Sequence, residues 1–234
     1  MKYIKKSGAP HEYRVWCRQV QGTQDADYRM LTRRQKDPLH LSLIEEQGWL
    51  CAYTMKRIGL ASSHIEHIKP ESLCRQDSPG SDLDYDNLVA CFPREGMKRQ
   101  HRYGAQLKDD WWENNGTDFI SPLHSACEKR FQFDLDGSIL AVKDHAGAKK
   151  TIEILKLDHE GLADDRKRVI NEFIYGESVL SEAQALQSKI AICDRNAEGQ
   201  FREFCVAIRD ALDGHVKNLR KIARQKKFAR QKKR

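Results

Sequence analysis

The spacing of apolar residues changes near Thr151, and this change constrains the fold more than any other feature of the sequence. Before that point, short apolar segments alternate with loops that contain Gly, Pro, Asn and Asp. After it, proline is absent and apolar residues recur at the spacing of amphipathic helices. The sequence therefore predicts an α+β protein whose last part, residues 151–234, is helical.

Two apolar stripes define the predicted C-terminal helices, and each would face either the core or a partner. The first stripe consists of Leu162, Val169, Ile170, Phe173 and Ile174. The second consists of Phe201, Phe204, Cys205, Ile208, Ala211 and Leu212, and it continues through Val216, Leu219 and Ile222. The spacing alone does not decide between the core and a partner for this second stripe.

The first 150 residues predict a mixture of short elements. Residues 1–44 indicate helices or an extended N-terminal arm, and Gly48 is a helix stop. The predicted elements after it are a strand or hairpin over 58–68, a loop over 72–84, a strand or helix entrance at 88–92, a short basic helix over 95–107 and a hairpin over 131–142 with an Asp-Gly turn.

Charge is concentrated at the C-terminal end. The segment from His215 onward holds ten of the 41 Lys and Arg residues and none of the 34 Asp and Glu residues. A tail of this kind indicates an acidic partner such as nucleic acid or an acidic protein surface, although it could also serve only to keep the protein soluble.

Membrane and secretory classes are disfavoured by the composition. No apolar run exceeds five residues, whereas a membrane-spanning helix needs about 18. The early lysines are not followed by an apolar stretch, and the seven cysteines are an odd number. We therefore expect a cytoplasmic protein with reduced thiols and no membrane partner.

The densest group of chemically active side chains is the sequence SHIEHIKP, which contains His64, Glu66 and His67. Phosphodiester hydrolysis requires a base that is neutral near pH 7, a divalent cation, and positive groups for the phosphates. An imidazole would be the base, and a carboxylate and an imidazole would hold the cation. A chance cluster of solvated polar residues remains the alternative from these residues alone.

Strand geometry sets a condition on this cluster. In a regular strand, His64 and Glu66 share one face and His67 points to the other. Glu66 and His67 can meet in one site only where the strand ends, and Pro70 indicates such an end.

Several segments together resemble the HNH endonuclease family, most closely the PtuB-type nucleases of Septu antiphage systems, some of which accompany retrons. The similarity covers residues 45–168. It rests on EEQGWLCAYT, SSHIEHIKP, DYDNLVACF, YGAQLKDDWW, DFISPLHSACEKRF and FDLDGSI, and on TIEILKLDHEGLADDRKR. This resemblance implies a ββα-metal nuclease core over residues 45–150, with surrounding helices.

The resemblance also implies roles for individual residues. Glu66 would bind a divalent metal, Mg²⁺ or Mn²⁺, and His67 would be the general base. Asn87 would hold the loop that carries the base. His101 is the nearest candidate for the metal ligand on the helix, although its spacing from Asn87 is longer than usual. His64 would be a further ligand, a residue that orients one, or a structural residue.

Basic residues and thiols near this core suggest further roles. Lys98, Arg99, Arg102 and Lys108 would contact nucleic acid. Many relatives carry two CxxC pairs that bind structural Zn²⁺, but here Cys51 and Cys91 each lack a CxxC partner. Two thiols are fewer than four, so a mixed zinc site with histidines and a pair of packed thiols both remain open.

The expected function is metal-dependent cleavage of nucleic acid, with DNA favoured and transfer RNA or other RNA open. The resemblance implies a defence complex with a PtuA-like ATPase partner, and in retron versions a reverse transcriptase with its msDNA. On this resemblance, we expect the partner-binding surface along the second stripe, from Phe201 to Ile222. The alternative is a catalytically inactive subunit of such a complex that binds nucleic acid or acts as a scaffold.

Overall fold

The computed structural model describes residues 1–94, 96 and 102–232. Its helices are α1 (His11–Val20), α2 (Arg33–Glu46), α3 (Glu71–Asp77), α4 (Ala105–Lys108), α5 (Ala146–Leu155), α6 (Glu160–Tyr175), α7 (Glu182–Ala191) and α8 (Cys205–Gln231). Its strands are β1 (His64–His67), β2 (Leu88–Cys91), β3 (Phe131–Phe133) and β4 (Ile139–Ala141). This mixture of helix and sheet confirms the α+β class.

The strands of the described residues form two antiparallel pairs. In the first, β1 pairs with β2, and His67 lies opposite Leu88. In the second, β3 pairs with β4 around Gly137, whose φ of +81° suits the predicted Asp-Gly turn. The hairpin prediction for residues 131–142 is therefore confirmed.

Helix α2 ends as the sequence predicts. Gly48 follows it with a φ of +60°, a conformation that glycine adopts without strain. The chain then turns back through a bridge between Leu50 and Arg57 before it enters β1. The next strand in the sheet, β2, packs against α2.

One hydrophobic core crosses the predicted boundaries between segments. Met1 and Ile4 of the N-terminal segment, Leu88 of β2 and Ile208 of α8 are all buried in it. Lys6 also reaches inward, with Nζ donating to the Leu88 carbonyl at 2.6 Å. The N-terminal arm is thus part of the same packed body as the sheet.

Two expectations about the helices were wrong. Residues 72–77, predicted as part of the loop over 72–84, belong to α3, because no Gly or Pro interrupts Glu71–Asp77 and Pro70 stands at its N-terminal boundary. The stripe that begins at Phe201 is not a partner surface over most of its length. It is buried in the chain's own core from Phe204 to Val216, and Ile222 is exposed.

None of the helices in the described ranges has both the length and the apolar character that a membrane crossing would require.

Candidate active site

A cavity of about 420 Å³ lies beside the end of β1. His64, Glu66 and His67 all line it, together with Tyr28, Ile65, Pro70, Glu71, Ala105, Gln106, Asp109 and Asp110. β1 ends at His67, so the alternation of its side chains ends there as well. The strand end therefore brings Glu66 and His67 to one cavity, which is the condition that the sequence set.

The backbone fixes the proton on the His67 ring. Nε2 of His67 lies 2.8 Å from the Asp82 carbonyl oxygen, which can only accept a hydrogen bond, so Nε2 donates and Nδ1 is the basic nitrogen. The Tyr28 ring packs edge-on against the imidazole, with centroids 4.6 Å apart. These contacts hold one tautomer and one ring orientation.

His67 is only 7% exposed, and this burial lowers its pKa below the usual value of 6.5. The Asp82 carbonyl and the nearby acidic groups act in the opposite direction but do not outweigh burial. The imidazole is therefore neutral near pH 7, as a group that accepts a proton from water must be.

His64 and Glu66 are arranged so that they could share a divalent cation. Nδ1 of His64 donates to the Pro93 carbonyl at 2.5 Å, which leaves Nε2 directed toward Oε2 of Glu66, 3.6 Å away. Histidine ligands of metals commonly donate their second ring N–H to a carbonyl in this way. Two donor atoms 3.6 Å apart are close enough to share one cation with bonds of about 2.1 Å, because such a pair can be at most about 4.2 Å apart.

The pKa of His64 moves in the opposite direction to that of His67. Burial lowers it, but the Glu66 carboxylate and the Pro93 carbonyl together outweigh burial and raise it above 6.5. A cation bound by both residues would have to displace the proton that His64 shares with Glu66.

Lys108 does not have the predicted nucleic-acid role. It is 1% exposed, so its ammonium group cannot reach a phosphate in solution. Nζ lies 3.1 Å from Oε1 of Glu66 and 3.0 Å from the His67 carbonyl oxygen. Lys108 instead fixes the Glu66 carboxylate and the end of β1 from the protein interior.

Asn87 closes the loop between β1 and β2. Its Oδ1 accepts from the Lys69 backbone N–H at 2.7 Å, and its Nδ2 donates to the Lys69 carbonyl at 2.9 Å. The Ile68 N–H also donates to the Asn87 carbonyl at 2.9 Å. Asn87 thus contacts Ile68 and Lys69, the two residues that follow His67, and these contacts suit the positioning role expected for it.

Cys51 and Cys91 lie together in the core behind this hairpin, both free and buried. Burial alone would raise the pKa of Cys51, but hydrogen bonds from Cys91, Thr54 and the Phe92 N–H lower it to about 6. The pKa of Cys91 is raised by burial and by this neighbour. Within the described ranges, no third His, Cys or carboxylate joins them to form a metal-ligand group.

The remaining predicted residues lie between β2 and α4. Arg102 is exposed at the beginning of the described segment that leads into α4. Lys98, Arg99 and His101 lie outside the described residues, and so does most of the predicted basic helix over 95–107.

One acidic group beside His67 was missed by the sequence analysis. Asp27, Glu71 and Asp82 each place a carboxylate oxygen within 4.8 Å of the others, which makes them a group that could hold a metal. Arginines already pair with this group: Arg29 lowers the pKa of Asp27 to about 2, and Arg75 contacts Glu71 and lies 3.9 Å from Asp82. No sequence signal could have found the group, because Asp27 and Asp82 are far apart in the chain. Asp82 accepts a hydrogen bond from the N–H of Tyr28, the residue next to Asp27, across 54 positions.

Comparison with models of protein families finds none that matches this chain, and comparison with curated proteins finds no significant match.

Proposed function

We propose that this protein is a metal-dependent endonuclease of the HNH type, which hydrolyses phosphodiester bonds at the cavity beside β1. The observation that carries the proposal is the state of His67. It is neutral, held in one tautomer, and lines the same cavity as His64 and Glu66. The antiparallel pairing of β1 with β2 supports a ββα-metal core.

In the proposed reaction, Nδ1 of His67 accepts the proton of a water molecule that attacks the phosphorus atom. Nε2 keeps its hydrogen bond to the Asp82 carbonyl, which stabilises the imidazolium that forms. His64 and Glu66 would hold a divalent cation, Mg²⁺ or Mn²⁺. Such a cation, when bound, polarises the phosphate and stabilises charge on the leaving oxygen.

Asn87 acts through His67 rather than on the substrate. By binding both backbone groups of Lys69, it fixes the chain two residues after the base. A misplacement of a catalytic group by about 1 Å can cost about 100-fold in rate, so this positioning matters to the reaction.

The direct test is cleavage of plasmid DNA and of total RNA with Mg²⁺ or Mn²⁺, with an EDTA control. We expect cleavage by the wild type, and loss of cleavage with retained binding in Glu66→Gln and His67→Ala. His11→Ala is the matched control, because His11 is exposed on α1 and outside the cavity. Equal activity in all four proteins would refute the proposal.

A second candidate function is favoured by Lys108. Its ammonium group already neutralises one oxygen of Glu66 from within the protein, as an inactive site without a cation would require. In that case the chain binds nucleic acid or serves as a scaffold. Absence of cleavage under every metal condition, with nucleic-acid binding unaffected by His67→Ala, would support this candidate.

The partners implied by the family resemblance belong to the same proposal. They are a PtuA-like ATPase and, in a retron version, a reverse transcriptase with msDNA, within an antiphage complex. Co-expression with a PtuA-like ATPase, followed by co-purification, tests this. Recovery of this chain without the ATPase at every salt concentration tested, low salt included, would contradict it.

A further inference from the structure

The last part of α8 is exposed, and Arg220 near its start pairs with Glu182 of α7. From Lys217 to Lys232 every residue is exposed except Leu219, which is half-buried. At 1.5 Å per residue, these 16 residues extend for about 24 Å. None of them lines the cavity beside His67.

This exposed end carries eight cations and no acidic residue. Several of them stand four residues apart on the helix, as Lys217 and Lys221, Arg220 and Arg224, and Lys226 and Arg230 do. Like charges at this spacing destabilise a helix. A bound polyanion would remove that repulsion, so the charge pattern is complementary to an anion that extends along the helix.

One face of this end forms an open groove that includes an aromatic side chain. The groove is lined by Lys217, Arg220, Lys221, Arg224, Gln225 and Phe228, which follow one another at helical spacing. Phe228 is 68% exposed. Proteins that bind single-stranded nucleic acid use a flat, exposed ring among cations: the cations bind the phosphates and a base stacks on the ring.

An acidic protein surface fits this end less well. A helix that docks into a protein groove presents apolar anchors along one stripe, at intervals of three and four residues. The stripe of α8 stops at Ile222, and the next position on it is Lys226. Phe228 is six residues beyond Ile222, which places it about 120° away around the helix.

We propose that residues 217–232 hold a nucleic-acid strand outside the cleavage site, with the cations on its phosphates and Phe228 stacked on an unpaired base. This inference rests on the proposed function for the class of substrate. It adds a second site of contact, which would retain the polymer while the cavity beside His67 acts on it.

The test measures binding without cleavage, so its failure can be told apart from failure of the nuclease proposal. The His67→Ala protein, in EDTA, is titrated with a labelled single DNA strand of about 20 nucleotides, longer than a typical single-module site. The test variant changes Lys221, Arg224, Lys227 and Arg230 to Gln. The control changes Arg33, Arg34, Lys143 and Lys167, four exposed cations of the body, to Gln.

We expect the test variant to bind the strand at least about tenfold more weakly than the control. We also expect the slope of log affinity against log salt to become shallower by about 3, since each lost phosphate contact contributes about 0.7. Equal affinity and slope in the two variants would overturn the proposal. Unchanged strand binding with lost binding to polyglutamate would also overturn it, in favour of an acidic protein partner.

Phe228→Ala tests the stacking contact, with Ile222→Ala as the matched control. We expect Phe228→Ala to weaken binding of the single strand by about tenfold and to leave binding of the same sequence as a duplex unchanged. Ile222→Ala should change neither. If Phe228→Ala leaves the single strand unaffected, the ring does not stack on a base and that part of the proposal is wrong.

Discussion

Lys108 and Glu66 form an ion pair in which the lysine is 1% exposed and its Nζ lies 3.1 Å from Oε1 of Glu66. The second oxygen of Glu66 faces the His64 ring from 3.6 Å. One carboxylate therefore serves two purposes: it neutralises a buried lysine on one side and remains open to the cavity on the other. Any cation that binds Glu66 is therefore repelled by the positive charge of Lys108.

The first prediction concerns this competition. Lys108→Met, which keeps most of the length of the side chain and removes the charge, should strengthen Mn²⁺ binding by about tenfold, because the repulsion between the two cations is lost. Isothermal titration calorimetry measures this. Lys56→Met is the control, since it removes a partly buried lysine that pairs with Asp165 instead. Weaker or unchanged Mn²⁺ binding in Lys108→Met would contradict the assignment of Glu66 as a ligand.

The second prediction concerns the order of two titrations. The pKa of His67 lies below 6.5 because the ring is buried, and the pKa of His64 lies above 6.5 because Glu66 and Pro93 favour its charged form. NMR titration of the ring protons without metal should therefore find His64 losing its proton at higher pH than His67. The assignments come from His64→Gln and His67→Gln. The reverse order would contradict the described environments.

The same shift makes a prediction for stability against pH. Well above pH 6.5 His67 is neutral in both the folded and the unfolded chain. As the pH falls below 6.5, the unfolded chain binds the proton first, so the contribution of His67 to stability declines until the pH passes the lowered folded-state pKa. Urea unfolding across this range should give a steeper loss for the wild type than for His67→Gln. Parallel curves for the two proteins would show that His67 is not shifted.

Asn87 gives a prediction that separates positioning from general stability. Asn87→Ala leaves the backbone N–H of Lys69 without its acceptor and should lower the free energy of unfolding by about 1–3 kcal/mol. It should also lower kcat with little change in KM, because the base is misplaced while the nucleic-acid contacts remain. Thr151→Ala is the comparison, since it also removes an acceptor from a backbone N–H, that of Ile120. If both variants lose the same fraction of activity, Asn87 has no specific positioning role.

Gly137 offers a prediction about the second hairpin. A Cβ at this position would lie 2.1 Å from the Ala163 carbonyl oxygen, whereas one at Gly199 would meet only the end of Arg195 at 4.0 Å. Both glycines have a positive φ, so Gly199→Ala measures the conformational cost alone. Thermal unfolding should find Gly137→Ala less stable than Gly199→Ala. Equal losses would mean that the hairpin and α6 can move apart freely.

The sequence predicts the elements of this fold where apolar residues recur at a regular spacing or where Gly and Asp mark a turn. The Asp-Gly hairpin, the helix stop at Gly48 and the helices after Thr151 are examples. It also groups His64, Glu66 and His67, because they are neighbours in the chain. Pro70 indicates that a strand ends near this cluster, but the exact end of β1 at His67 depends on the pairing with β2.

Long-range contacts account for what the sequence analysis missed. Lys108 was expected to be a phosphate contact, but a backbone carbonyl and a carboxylate 41 and 42 residues away bind it in the interior. The Asp82 carbonyl that orients His67 belongs to the connection between β1 and β2. Every residue has a backbone carbonyl, so the residue types in the sequence do not show which one binds His67. The core role of Phe204–Val216 likewise depends on packing against α6 and α7 rather than on the stripe itself.

The central claim is that the imidazole of His67 takes a proton from the attacking water. Chemical rescue tests it most directly: cleavage by His67→Ala is measured with and without added imidazole, against wild type and His11→Ala. We predict that His67→Ala cleaves about 100- to 10,000-fold more slowly than the wild type, and that imidazole restores part of the rate with a pH dependence that follows its own pKa. Cleavage by His67→Ala at the wild-type rate would contradict the claim.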